Sequence, residues 1–227
     1  MGKRMEGLVK TLEKDKLYSL EEAVAQVKKT KSAKFDETVE MHLRLGIDVK
    51  QSDQQVRGVV LMPHGTGKSK KVAVLAKGDK EREAVEAGAD QVGMEAIVEK
   101  VNKGIFDFDV LVATPDVMKD ITRLAKILGP RGLMPNPKSG TVTFDIARTV
   151  KELKSGRAEY KADSYGIVHV PIGKASFSED KLVANAQTIW QAILRAKPAS
   201  SKGVYLKSVT LAATMGPGVS VNPNQKI

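Results

Sequence analysis

From Val39 to Asp48 apolar and polar residues alternate without a break, Val39, Met41, Leu43, Leu45 and Ile47 against Glu40, His42, Arg44, Gly46 and Asp48. A period of two puts one row on a core and the other in solvent, so 35–48 is predicted to be a half-exposed strand. Upstream, Leu20, Ala23, Val24 and Val27 recur on one helical face. Ser19 precedes them with Glu22 three residues on, a capping-box arrangement that predicts a helix from 19 to about 30. A second strand is predicted at 56–62 (VRGVVLM), running into Pro63-His64-Gly65-Thr66-Gly67-Lys68, where chain breakers set a boundary.

From residue 72 the pattern changes. Short buried-type runs, VAVLA at 72–76 and DVLVA at 109–113, alternate with helical stretches such as DKEREAVEAGA and PDVMKDITRLAKIL. Such alternation predicts β-α-β units on a parallel sheet. After a loop at 129–141, DIARTVKELKSG reads as a helix closed by Gly156 as its C′ residue. Period two then returns in IVHVPIG (167–173). Ser178 is a predicted N-cap for a helix with Leu182, Val183, Ala186, Ile189, Trp190, Ile193 and Leu194 inward, and KGVYLKSVTLAAT is a final strand. The predicted fold class is therefore α/β in two domains. A split α+β outer domain with a mainly antiparallel sheet (1–66 and 159–227) is interrupted by a Rossmann-like, three-layer α/β domain (67–158). The two crossings make Gly65, Thr66, Gly67 and Glu159 the candidate hinge.

Charge adds a partner class. The formal net charge is +10, an excess that folding does not need and that favours polyanions. Basic residues outnumber acidic ones by 12 to 10 over 1–65, 17 to 14 over 66–159 and 8 to 3 over 160–227, so the outer segments hold seven of the ten excess charges. The outer domain is the expected anion binder. No apolar run approaches membrane-spanning length, and MGKRMEGLVKTLEKDK has no signal-type apolar stretch, so a cytosolic chain without membrane contact is expected. With no cysteine and with His42, His64 and His169 far apart, thiolate chemistry is excluded and a local metal motif is not expected. Aromatics are only 4% of the chain, too few for a surface built on stacked bases, so phosphate and ribose contacts are expected instead.

Three segments could carry chemistry. In HGTGKS (64–69) the Gly-Lys-Ser ending suggests a phosphate loop, but that motif needs glycine where Met62 stands and a helix where a strand is predicted; a dinucleotide fingerprint would need a third glycine where Lys70 stands. A basic hinge is the better reading. In ILGPRGLMPNPKSGT (127–141) three prolines and three glycines shape a long loop that presents Arg131 and Lys138, suited to a phosphate backbone or simply to closing a crossover. In TMGPG (214–218) a strand ends in a rigid turn whose glycine lets another chain approach closely, though read alone it is only a strand terminus. No nucleophile with a base and an orienter is visible, and His169 reads better as a strand residue facing solvent or RNA than as a catalytic base. A nucleotide-using enzyme and an unspecific cationic scaffold are the rival readings.

The run ILGPRGLMPNPKSGTV (127–142) resembles the signature of the ribosomal protein L-one family, and AKFDETVEMH (33–42), KASF (174–177) and TMGPG follow in that family's order and spacing. The resemblance covers essentially the whole chain; Gly218 stands where many relatives have serine, at a turn that tolerates glycine. It implies a bacterial-type, non-enzymatic constituent of the large ribosomal subunit, monomeric when free and without cofactor or metal. Such a protein would bind ribosomal RNA, form the mobile stalk, assist release of deacylated tRNA from the exit site and repress its own operon messenger RNA. Carried over by motif, the ribosomal RNA site comprises Lys34, Phe35, Thr38, Glu40, Ser208, Thr214, Met215 and Gly216, with His169 beside them. Arg131 and Lys138 are the corresponding candidates for contact with tRNA or other RNA on the inserted domain.

Overall fold

The computed structural model describes residues 2–13 and 16–225. Its α-helices are α1 (Lys3–Val9), α2 (Leu20–Lys29), α3 (Asp79–Glu86), α4 (Met94–Asn102), α5 (Met118–Ile121), α6 (Ala125–Leu128), α7 (Ile146–Lys154) and α8 (Glu179–Arg195). Its strands are β1 (Thr38–Leu45), β2 (Arg57–Leu61), β3 (Val72–Leu75), β4 (Gln91–Val92), β5 (Val110–Ala113), β6 (Arg157–Lys161), β7 (Ile167–Lys174), β8 (Leu206–Ala213) and β9 (Val219–Val221). The chain divides into two compact units, an outer one up to Gly67 and again from Ala158, and an inserted one, Lys68–Arg157.

In the outer unit the sheet runs β7-β1-β8-β9, each neighbouring pair antiparallel. Alternation decides its faces. Val39, Met41, Leu43 and Leu45 of β1 join Val168, Val170, Ile172, Val209, Leu211, Ala213, Val219 and Val221 in one core with the inward rows of α2 and α8. Each large side chain buried there stabilises the unit by roughly 1.5–3 kcal/mol. The opposite rows, Glu40, His42 and Arg44 on β1, His169 and Pro171 on β7, and Ser208, Thr210 and Ala212 on β8, are left on an uncovered face.

Helix α2 starts as its sequence requires, with the Ser19 hydroxyl accepting from Glu22 N and the Glu22 carboxylate accepting from Ser19 N. Ser178 occupies the N-cap position of α8, but its side chain makes no capping bond. Leu194 points outward instead of inward, 46% exposed, because it lies a further 100° round the helix from the Leu182, Ala186, Ile189, Trp190, Ile193 row. Asn185, expected on no face in particular, is fully buried. The first strand is shorter than expected: Glu37 anchors the loop before it, and Gly46 N turns away to the Tyr205 carbonyl. Nor is β8 the last strand, since the chain turns at Met215–Gly218 and returns as β9.

The inserted unit has a parallel sheet ordered β4-β3-β5, beginning in the middle as doubly wound sheets do. Every residue of β3 is buried, which is why it reads as a continuous apolar run. One face packs on Ala84 of α3 and on Ile146, Val150 and Leu153 of α7; the other packs on Ile97 and Val101 of α4 and on Val117, Ile121, Leu124 and Leu128. These are the three layers. The last group was expected on one helix. It instead alternates 3-10 turns (Pro115–Val117, Thr122–Leu124) with α5 and α6, and the Thr122 hydroxyl takes the Met118 carbonyl. Helix α7 ends at Gly156, φ +101°, in the C′ position.

Candidate nucleic-acid interface

The convergence at one end of the outer sheet is built around a buried carboxylate, Glu37. Its Oε1 accepts from Ser32 N (3.1 Å) and Ala33 N (2.8 Å), and its Oε2 accepts from Met215 N (2.9 Å). Burial alone would raise this carboxyl; the three backbone donors outweigh it and hold it below the ordinary value. One side chain thus joins the loop before β1 to the turn after β8.

The segment after β7 closes the same end. Lys174 Nζ donates to the Asp36 carbonyl (3.2 Å) and to Thr38 Oγ1 (3.1 Å), Ala175 N donates to the Glu37 carbonyl, and Ser176 Oγ donates to Asp36 Oδ2 (2.7 Å). The Ser176 hydroxyl is the main cause of a lowered Asp36 carboxyl. Thr214 completes the frame, its hydroxyl accepting from Thr38 N and donating to the Thr38 carbonyl. AKFDETVEMH, KASF and TMGPG, far apart in sequence, therefore meet in one place.

Phe35 (53% exposed) and Met215 (43% exposed) stand out from this frame, apolar side chains left in solvent by segments that are otherwise pinned. Lys34 is exposed beside Phe35, and Gly216 is partly exposed in the turn. Thr38 is buried and its hydroxyl is taken by Lys174, so it shapes the site from below.

Glu40, His169 and Ser208 lie on the uncovered sheet face. Glu40 is flanked by Pro171 and Ala212, His42 by His169 and Thr210, and Arg44 by Ile167 and Ser208. Ser208 is level with Arg44 while Thr214 is level with Thr38, so the sequence-derived residues spread along the strands from the pinned end. His42 Nδ1 and His169 Nδ1 are 2.8 Å apart and can share only one proton between them. His169 Nε2 is 3.5 Å from Asp163 Oδ2. Burial, and then His169, push His42 below the ordinary histidine value, with Glu40 opposing.

Sequence reasoning missed Glu37, Asp36, Lys174 and Ser176, whose roles depend on contacts across the fold. It placed His42 and Arg44 in the polar row of β1 without making them site candidates, although their register with Glu40 was the available signal.

The candidate hinge residues are placed as follows. Gly65 and Gly67 adopt φ +66° and +72°, and a Cβ on Gly67 would meet Lys174 and Phe177. Asn185 accepts from His64 N and donates to the carbonyls of Gly65 and Ile172, fixing this turn to α8 and β7. Thr66 is buried between the two glycines, with no hydrogen-bond partner for its hydroxyl. Glu159 lies within β6 and pairs with Arg57 of β2. A strand, β3, follows HGTGKS, where a phosphate loop needs a helix.

In the inserted unit the Arg131 guanidinium lies 3.9 Å over the Phe106 ring. Its loop is well braced: Asn136 Oδ1 accepts from Lys138 N, and the buried Arg157 donates to the Ser139 carbonyl. Lys138 remains exposed. Among the described residues no group of three or more His, Asp or Glu could hold a metal ion, and no helix is long and apolar enough to cross a membrane.

A family model described as Ribosomal protein L1p/L10e family matches residues 27–217, most of the chain and, but for Gly218 at the end of TMGPG, the motif segments just placed. The chain belongs to that family. It is thus a ribosomal protein of the large subunit that binds ribosomal RNA, and the L1p/L10e family is one of structural ribosome constituents, not of enzymes. The match opens in the last turns of α2 and closes at Pro217, the turn that Glu37 pins, so α1 and β9 lie outside it.

Proposed function

We propose that the pinned end and uncovered face of the outer sheet are the ribosomal RNA site. Lys34, Phe35, Glu40, His169, Ser208, Met215 and Gly216 make the contacts, while Thr38 and Thr214 hold the shape with Glu37. The observation that carries this reading is the Glu37 carboxylate bonded to both segments that expose Phe35 and Met215. Apolar side chains on a braced rim offer contact to bases splayed from a folded RNA, and Glu40 and the Ser208 hydroxyl suit ribose hydroxyls and base edges. Filter binding to the large-subunit RNA fragment tests it. Phe35→Ala and Met215→Ala should each cost about 1–3 kcal/mol, and unchanged affinity in both variants would sink the site.

The same protein would work as the mobile stalk that assists release of deacylated tRNA from the exit site. Arg131, stacked on Phe106, and the exposed Lys138 support RNA contact by the inserted unit. A guanidinium plane already packed on one ring is ready to meet a base or phosphate on its other side. Repression of its own operon messenger would need no second site, because any RNA reproducing the ribosomal fold competes for the same rim. Movement of the inserted unit would turn on the chain steps 67/68 and 157/158, beyond the turn that Asn185 fixes.

A further inference from the structure

Helix α1 lies outside the family match, spans seven residues and buries none of them. Yet it carries an arginine onto the proposed RNA rim. Arg4 Nη1 donates to the Ser32 hydroxyl and Nη2 to the Met215 carbonyl, both at 3.1 Å. These are the two segments whose backbone amides Glu37 holds from the buried side, so Arg4 spans them from the solvent side.

Both acceptors are neutral. None of the ion pairs among the described residues includes Arg4, and its side chain is exposed. A guanidinium has five donors in a rigid fork, so a pinned arginine that spends two of them on neutral oxygens keeps its charge and further N–H groups for an anion. The conformational cost of placing it is already met in the free protein. Exposed Lys3, Lys31 and Lys34, on the same segments, add to the positive potential.

We propose that Arg4 binds a backbone phosphate of the RNA held at the Phe35–Met215 rim, with α1 as the arm that delivers it. The inference rests on the rim being the RNA site. Affinity of the full chain for the ribosomal RNA fragment is measured across salt concentrations for Arg4→Ala, Arg4→Lys and, in parallel, Phe35→Ala and Met215→Ala. Arg4→Ala should weaken binding on the order of tenfold, as for a lost charge-assisted hydrogen bond, and flatten the slope of log K against log salt by about 1. Arg4→Lys should keep the slope and lose part of the affinity, since it retains charge but not the fork. Melting temperature should not move, because Arg4 is exposed and both of its hydrogen bonds lie at the surface. Weakened Phe35→Ala and Met215→Ala with an Arg4→Ala unchanged in affinity and slope would overturn the inference and leave the rim standing. Lost affinity with an unchanged slope would reduce Arg4 to a brace for the turn, and tighter binding would make α1 a cover; both overturn it. Neutral Phe35→Ala and Met215→Ala would instead remove the rim reading on which it rests.

Discussion

Glu37 does for the outer unit what a disulfide does elsewhere, tying two distant segments through three backbone N–H groups. Removing it takes from those donors an acceptor that itself has no exposed surface. Glu37→Ala should therefore cost about 3 kcal/mol in urea unfolding and weaken RNA binding in parallel; a loss under 1 kcal/mol would show the carboxylate to be dispensable. The His42–His169 pair gives a pH dependence. His42 has a folded pKa below 6.5, so its contribution to stability is full above that value and is lost as pH falls through the depressed one. Asp36, Glu37 and Asp163 also have lowered values, but their contributions are lost only at more acid pH, as it falls from the ordinary carboxylate range through those lowered values. Unfolding free energy should drop between pH 7.5 and 5.5, and His42→Gln should remove most of that drop; an equal drop in the variant would assign it elsewhere.

At the scale of elements, what was legible in the sequence is what local periodicity controls. The polar row of β1, the capping box of α2, the apolar run of β3 and the C′ glycine of α7 each depend on neighbours within a few residues, and each is found where the pattern puts it. What was not legible depends on partners far along the chain. β9 is three residues long and exists by pairing with β8. Helix α1 buries no residue fully, its Met5, Leu8 and Val9 being only half-buried, and Leu194 follows an apolar stripe by one residue too many. Asn185 is the instructive case, a polar residue among the inward-facing positions of α8, invisible as a site until His64 and Gly65 are seen to bond it. Asn185→Ala should cost roughly 1–3 kcal/mol, since it orphans a backbone N–H and leaves two carbonyls short of a donor. Denaturant titration checks this, and an unaltered midpoint would mean that water replaces the amide.

For the whole molecule, three of the four motif segments recognised from the sequence, AKFDETVEMH, KASF and TMGPG, were separate strings, and the structure turns them into one rim. Their order along the chain gave no sign that Lys174 would bond Asp36 or that Thr214 would bond Thr38, because that depends on β1 lying between β7 and β8. Charge pointed to the outer segments as the anion binder but could not say which face. The sheet topology singles out a face, since the helices α2 and α8 take the other. The central claim is that this rim meets ribosomal RNA, and hydroxyl-radical footprinting reads it directly, with the thioether of Met215 and the ring of Phe35 as built-in reporters. On adding the large-subunit RNA fragment, oxidation of Phe35 and Met215 should fall several-fold, while exposed Val85 on α3 and Leu194 on α8 stay as reactive as before. Phe35 and Met215 oxidised equally fast in the free and RNA-bound protein would contradict the account.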